Sequence, residues 1–311
     1  MSTSTSENEP NSEEFPTILD PKTCLQKGRC EVGNSRRLKP YKIYYELHGN
    51  SSIQAKKKMI FIMGLNNTFF SWSKQVEHFG KLDDHVVLVF DNRGVGNSDV
   101  GPERFFKTSG MAKDVIDLLD FIGWNQSRSI NVIGVSMGGM IAQELCLQIP
   151  QRIVSVVFTS TQAGESNRLP PLSTTFGILR MLLSGGTPEE RIARLVTKLF
   201  PAVWLDSTAS DGSGKTNRQV KQEELVSNYY KRREQPTAGI IGQLSAAATH
   251  LCTPEVLGRL AKSVAPAKLV VLSGALDQVI DVSKSITLHE NLPGSELVVL
   301  RMQVMLLSQD V

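Results

Sequence analysis

The chain lacks several things that would otherwise set its class. Its four cysteines, Cys24, Cys30, Cys146 and Cys252, form no C-x-x-C pair. Reduced thiols are therefore expected in place of a disulfide framework, and no metal site is expected. No apolar stretch reaches the length of a membrane span, so stable membrane insertion is excluded from the expectation. The amino terminus has neither a basic region nor an apolar signal core: Glu7, Glu9, Glu13, Glu14 and Asp20 all precede the first basic residue, Lys22. Secretory and mitochondrial leaders are thereby disfavoured, and a cytoplasmic protein is the expectation. An excess of one charge is missing too. Lysine plus arginine is 34 against 31 acidic residues, a net +3, and the basic residues are scattered. That is no signature of a nucleic-acid partner.

What is present is a rhythm. After a polar, acidic segment at 1–21, read as a disordered tail, short β-like runs alternate with helix-like ones. Strands are expected at 41–47, 58–63, 85–90, 129–135, 153–159, 268–272 and 296–300. Helices are expected at about 68–80, 107–123, 137–149 and 282–292. The second of these places Val115, Leu118, Leu119 and Ile122 on one face. Such alternation implies an α/β fold with a mostly parallel sheet covered on both faces. With 311 residues the chain buries about three quarters of its unfolded surface. The rhythm breaks at 162–255, a helix-rich stretch read as a cap inserted between core segments 22–161 and 256–311.

The sharpest signal is Gly134-Val135-Ser136-Met137-Gly138, between the apolar run Ile130 to Ile133 and a helix-like segment from Met140. Strand, turn and helix in that order are the setting of a nucleophile elbow. Gly134 and Gly138 remove side chains from a turn that holds the serine in an unfavourable backbone conformation. Ser136 is thus the expected nucleophile. The Met137 N–H, at the helix start, is one expected oxyanion donor. A second is the Leu65 N–H, in the turn Gly64-Leu65-Asn66-Asn67-Thr68 after an expected strand. For the acid, Asp277 follows the strand at 268–272 on the same sheet edge as Ser136, whereas Asp281 is better suited to cap the next helix.

These motifs, with Trp72 and Asp91-Asn92-Arg93-Gly94-Val95-Gly96-Asn97-Ser98 between the first and the elbow, resemble the α/β-hydrolase superfamily, in the group with a single helical lid. The resemblance spans about residues 40–300. It implies an eight-stranded sheet, an esterase- or lipase-like serine hydrolase acting on a small-molecule acyl substrate, and no cofactor. It implies also that Asp91 and Arg93 are scaffold. Met63 stands where the family usually has a histidine that is not its base.

The carboxyl end departs from that pattern. The family places its basic histidine in the loop after the last strand, but the residues from Arg301 to Val311 contain none. The histidines are His48, His78, His85, His250 and His289, all earlier. Among them His250, closing the cap, is the one candidate for a replacement base. Met302-Gln303-Val304-Met305 is encoded ATG-CAR-GTN-ATG, and read from one nucleotide earlier those bases permit Asn-Ala-Gly-His. A tail from about Arg301 produced by a frameshift, an alternative splice or a mispredicted exon is therefore expected. As written, the chain is expected to be a hydrolase of impaired activity; the alternative is a non-catalytic ligand-binding homologue with the same capped pocket. Two decoys stand aside from this. Ala209 to Thr216 mimics a phosphate-binding loop without the preceding strand it requires. Gly94-Val95-Gly96 begins a dinucleotide fingerprint, but Asp99 occupies the place of its third glycine. Nothing in the sequence sets an oligomeric state.

Overall fold

A computed structural model describes residues 15–50, 56–164, 185–231 and 233–301. Eight strands form one sheet in the order β1-β2-β4-β3-β5-β6-β7-β8. They are β1 Cys24–Val32, β2 Tyr41–Gly49, β3 Lys57–Ile62, β4 His85–Phe90, β5 Ile130–Val135, β6 Ile153–Thr159, β7 Lys268–Gly274 and β8 Ser295–Leu300. β2 runs antiparallel to both of its neighbours, and every pair from β4 to β8 is parallel. The fold is thus a mostly parallel sheet flanked by helices.

Central strands read as unbroken apolar runs because both of their faces are covered. Ile60 and Ile62 of β3 enter one core with Leu88, Val132 and Ile141, while Phe61 and Met63 enter another with Val87, Val89 and Trp72. The two-residue alternation of strand side chains produces that division. Helix α2, Thr108–Phe121, and helix α3, Met137–Gln148, cover the first face. Val115, Leu118, Leu119 and Ile122 are all buried there, as their spacing requires. Each such aliphatic side chain contributes about 2 kcal/mol by leaving water. The second face is covered by helix α1, Ser73–Phe79, and by residues from Phe15 to Leu19.

Two features differ from the sequence expectation. Strand β1 was not expected, because most of its side chains are half-buried and it carries no clean apolar alternation. Of the expected tail, 1–14 lie outside the described residues, whereas its inner end packs. Leu19 is buried, Phe15 meets Tyr44 edge-on, and the Thr17 hydroxyl donates to Glu46 at 2.6 Å.

In the expected cap, 165–184 lie outside the described residues. Helices Pro188–Leu199 and Asn217–Tyr230 enclose a small core of their own, Ile192, Val196, Phe200 and Leu205. Helix Thr237–Thr249 instead joins the main core through Ala246. Helix Pro254–Val264 begins before the expected border at 255 and packs Leu257, Leu260 and Val264 into the main core.

Candidate active site

Ser136 sits at φ 53° and ψ −120°, between the end of β5 and the start of α3. A non-glycine residue held there costs about 1–3 kcal/mol, so its surroundings must enforce it. They do so through close approach. A Cβ at Gly134 would lie 2.3 Å from the Gly138 carbonyl oxygen, and one at Gly138 would lie 2.1 Å from that of Ile62. The Ser136 N–H donates to the Thr159 carbonyl at 2.9 Å. The Ser136 carbonyl accepts from the Gly139 N–H at 2.9 Å and from the Thr161 hydroxyl at 2.7 Å. The serine is half-buried, and its hydroxyl makes no hydrogen bond among the described residues.

The turn after β3 lies against this serine. A Cβ on Gly64 would stand 3.1 Å from that of Ser136. The next N–H, that of Leu65, has no acceptor among the described residues. Asn66 follows in the left-handed region at φ 53°. The N–H of Met137, in the first turn of α3, lacks an intrahelical acceptor as every such position does. Both expected oxyanion donors therefore border the serine.

The Asp91–Ser98 loop braces that turn from behind. Asp91 accepts from the N–H groups of Phe69 at 3.1 Å and Asn97 at 2.9 Å, and the Asn92 amide donates to the Met63 carbonyl at 2.8 Å. Gly96 has φ 56°, and a Cβ there would lie 2.1 Å from the Asp91 carboxylate. The glycines serve this internal turn and cradle no phosphate. Arg93 is buried and paired with Asp114 at 2.5 Å. Burial pulls its acidity one way, but the neighbouring Asp114 carboxylate outweighs it and holds the guanidinium firmly charged.

Asp277 stands past the end of β7, on the sheet edge that carries Ser136, with β6 intervening. Its Oδ1 accepts from the N–H groups of Val279 at 2.8 Å and Ile280 at 3.0 Å. Asp281, as expected, caps helix Val282–Glu290 by accepting from the Ser283 N–H. The expected tail from Arg301 lies, from 302 onward, outside the described residues.

No histidine bonds to Ser136. The ring nitrogens of His250 lie 2.9 Å from the Thr108 hydroxyl and 3.3 Å from the Gln143 amide oxygen. Burial pushes its pKa down to about 4. Both nitrogens are thus engaged, which argues against a base role. His48 is enclosed between Thr23 and Glu46, His85 neighbours Asp84, His78 lies edge-on to Phe79, and His289 bonds to Ser295.

Donor atoms of Cys24, Glu46 and His48, and of Glu144, His250 and Cys252, lie within 4.8 Å of one another. In each set the histidine already has a partner on both nitrogens, so neither set calls for an ion. Burial also raises the Cys252 thiol to about 12. The loop mimicking a phosphate site is an exposed hairpin closed by a Thr208–Thr216 bridge. Its Lys215 is taken by Glu223 at 2.6 Å. Among the described residues no helix is long and apolar enough to cross a membrane.

Two residues had no signal in the sequence. Gln243, on helix Thr237–Thr249, and Gln235, just before it, both bond to Asn66. No motif marks them, because their role depends on how the inserted helix docks.

Residues 57–302 match the family described as the alpha/beta hydrolase fold. A protein of Azorhizobium caulinodans named as a carbamate hydrolase, RutD, is 27% identical over 165 residues, covering 52% of this chain and 56% of that protein. The chain thus spans about half of that relative's length. A Stutzerimonas stutzeri protein of the same name is 22% identical over 258 residues, 83% of this chain and 88% of its own. A hydrolase from Pseudomonas aeruginosa PA01 superposes with a TM-score of 0.67 at 21% identity, covering 89% of this chain and 92% of that one. At that identity the superposition speaks for the fold alone.

Proposed function

The chain belongs to the alpha/beta hydrolase fold family, and from that premise we propose that Ser136 is the nucleophile of a hydrolase acting on an ester or related acyl carbonyl, with turnover limited by the want of a histidine base. The strained backbone of Ser136 carries this reading. Support comes from the close approach of the Gly64 turn to Ser136, which makes the Leu65 N–H, with the Met137 N–H next in the chain, the groups that would hold a carbonyl oxygen gaining charge. Acyl transfer then proceeds by attack of Oγ on the carbonyl carbon as its proton passes to solvent water, formation of a tetrahedral oxyanion, and departure of the alcohol, which takes a proton from water; a second water then cleaves the acyl-serine to release the acid and restore the hydroxyl. Carbamates, named for two relatives, share that carbonyl chemistry. Asp277 is the residue that would orient a base, but among the described residues no histidine bonds to it or to the serine. Without a base to take its proton Oγ attacks slowly, so turnover lies well below that of a complete triad but still depends on the serine. On this reading the chain is a slow hydrolase, and the helices between Pro188 and Thr249 are its cap.

The same missing contact favours one other reading, a ligand-binding protein with the elbow kept as architecture. Turnover of short p-nitrophenyl esters separates the two. The hydrolase reading expects slow release of p-nitrophenol that falls at least about tenfold in Ser136→Ala. Equal rates in both proteins, with saturable ligand binding and no labelling by a fluorophosphonate, would establish the binding protein.

A further inference from the structure

Gln243 is fully buried, yet it projects from helix Thr237–Thr249, which packs beneath the cap. Both ends of its amide are engaged with main chain. Its Oε1 accepts from the Asn66 N–H at 2.7 Å, and its Nε2 donates to the Arg93 carbonyl at 2.8 Å. Because one partner is a backbone donor and the other a backbone acceptor, the orientation of the amide is determined, and no other side chain of that length meets both demands. A second glutamine repeats the arrangement. Gln235 Nε2 donates to the Gly94 carbonyl at 3.0 Å and to the Asn66 side-chain oxygen at 2.9 Å. Helix and loop also approach directly: a Cβ on Gly239 would lie 2.1 Å from the Gly94 oxygen.

Asn66 sits at φ 53°, in the left-handed region that asparagine tolerates better than most residues, so the two glutamines fix a turn that its sequence already permits. It immediately follows Leu65, whose N–H faces no acceptor of the described protein. The two peptide planes meet at the Leu65 Cα, so a shift of the Leu65–Asn66 peptide that displaces this Cα also re-aims the Leu65 N–H. The Asp91 loop holds the turn from the sheet side through Asn92 and Met63, but only the two glutamines hold Asn66 from the cap side among the described residues.

We infer that Gln243 is a positioning residue that locks the Asn66 N–H and thereby aims the Leu65 N–H at the oxyanion, so that docking of the cap-proximal helix and readiness of the oxyanion hole are one event. This rests on the reading of Ser136 as nucleophile. Misplacement of a catalytic group by about 1 Å costs on the order of 100-fold, and loss of a whole donor costs about 10²–10³.

The experiment measures p-nitrophenol release from p-nitrophenyl acetate by the parent, Ser136→Ala, Gln243→Met and Gln243→Glu, together with hydrogen exchange at the Asn66 amide. Methionine fills the same volume without either hydrogen bond. It is expected to lower the maximal Ser136-dependent rate about 10- to 100-fold with KM unchanged, and to speed exchange at Asn66. Glutamate keeps the acceptor for Asn66 and, when protonated, can also donate to the Arg93 carbonyl, so at acidic pH it is expected to retain protection there and to recover part of the rate lost in the methionine variant. A Ser136-dependent rate that ignores Gln243→Met, or equal losses in both variants with Asn66 still protected, overturns the inference. Should Gln243→Met fail to fold, exchange in the parent decides: an Asn66 amide as open as a surface loop overturns it. If Ser136→Ala leaves the parent's rate unchanged, the hydrolase reading fails and not the clamp.

Discussion

Around Ser136, a side chain added at position 64, 134 or 138 would strike backbone or the serine itself. Around Asp277, the neighbours Leu276 and Val279 are exposed, and the carboxylate is held by its own turn. The nucleophile side of the site is therefore locked into the crossing of β3, β5 and α3, while the acid side hangs beyond the sheet. The contrast teaches that an elbow is maintained by packing whether or not chemistry follows. The elbow fixes a backbone shape, and nucleophile, acid and base are each demonstrated by their chemistry.

Substitutions sharpen that contrast. Gly138→Ala forces a Cβ to 2.1 Å from the Ile62 carbonyl, and unfolding in urea is expected to show a loss of about 4 kcal/mol or more. A loss under about 1 kcal/mol would mean that the crossing yields and the locking claim is wrong. Asp114→Ala removes one of the two carboxylates on the buried Arg93 and leaves it Glu103 and the Gly110 carbonyl, and the same assay is expected to show a loss of about 2–3 kcal/mol.

His250 tests whether any histidine was misjudged as structural. In the unfolded chain its pKa is near 6.5, and in the fold burial lowers it to about 4. Between those values the unfolded state holds more protons, so stability from the neutral ring is complete above pH 6.5 and is lost as pH falls towards 4. A loss of up to about 3 kcal/mol is expected over that window, with a flatter profile in His250→Asn. If His250→Asn instead abolished ester turnover and left the profile unchanged, His250 would be the base after all.

The smallest effect is expected at Asp277. With no imidazole to orient, Asp277→Asn should change the residual turnover by less than about twofold, against about 10⁴ for the same change in a complete triad. A large loss would mean that a base acts beside it.

Much of this was legible beforehand because tight chemistry leaves tight spacing. The elbow, the Asp91–Ser98 loop and the apolar stripe of α2 each follow from local sequence, and each appears where expected. Strand β1 escaped because an edge strand with half-buried side chains need not alternate. The expected border at 255 falls within the first turn of helix Pro254–Val264, whose Leu257, Leu260 and Val264 pack into the main core. Gln243 escaped because a buried amide is recognisable only by the two carbonyl and N–H groups it joins, both more than a hundred residues away in sequence.

The central claim is that an acyl group reaches the Ser136 hydroxyl. It is tested most directly by incubating the chain with p-nitrophenyl acetate and locating the acetyl group by peptide mass spectrometry. Without a histidine to assist deacylation, acetyl is expected to accumulate on Ser136 and to vanish in Ser136→Ala. A parent chain that carries no acetyl there, or carries it equally on scattered lysines in both proteins, would contradict the account.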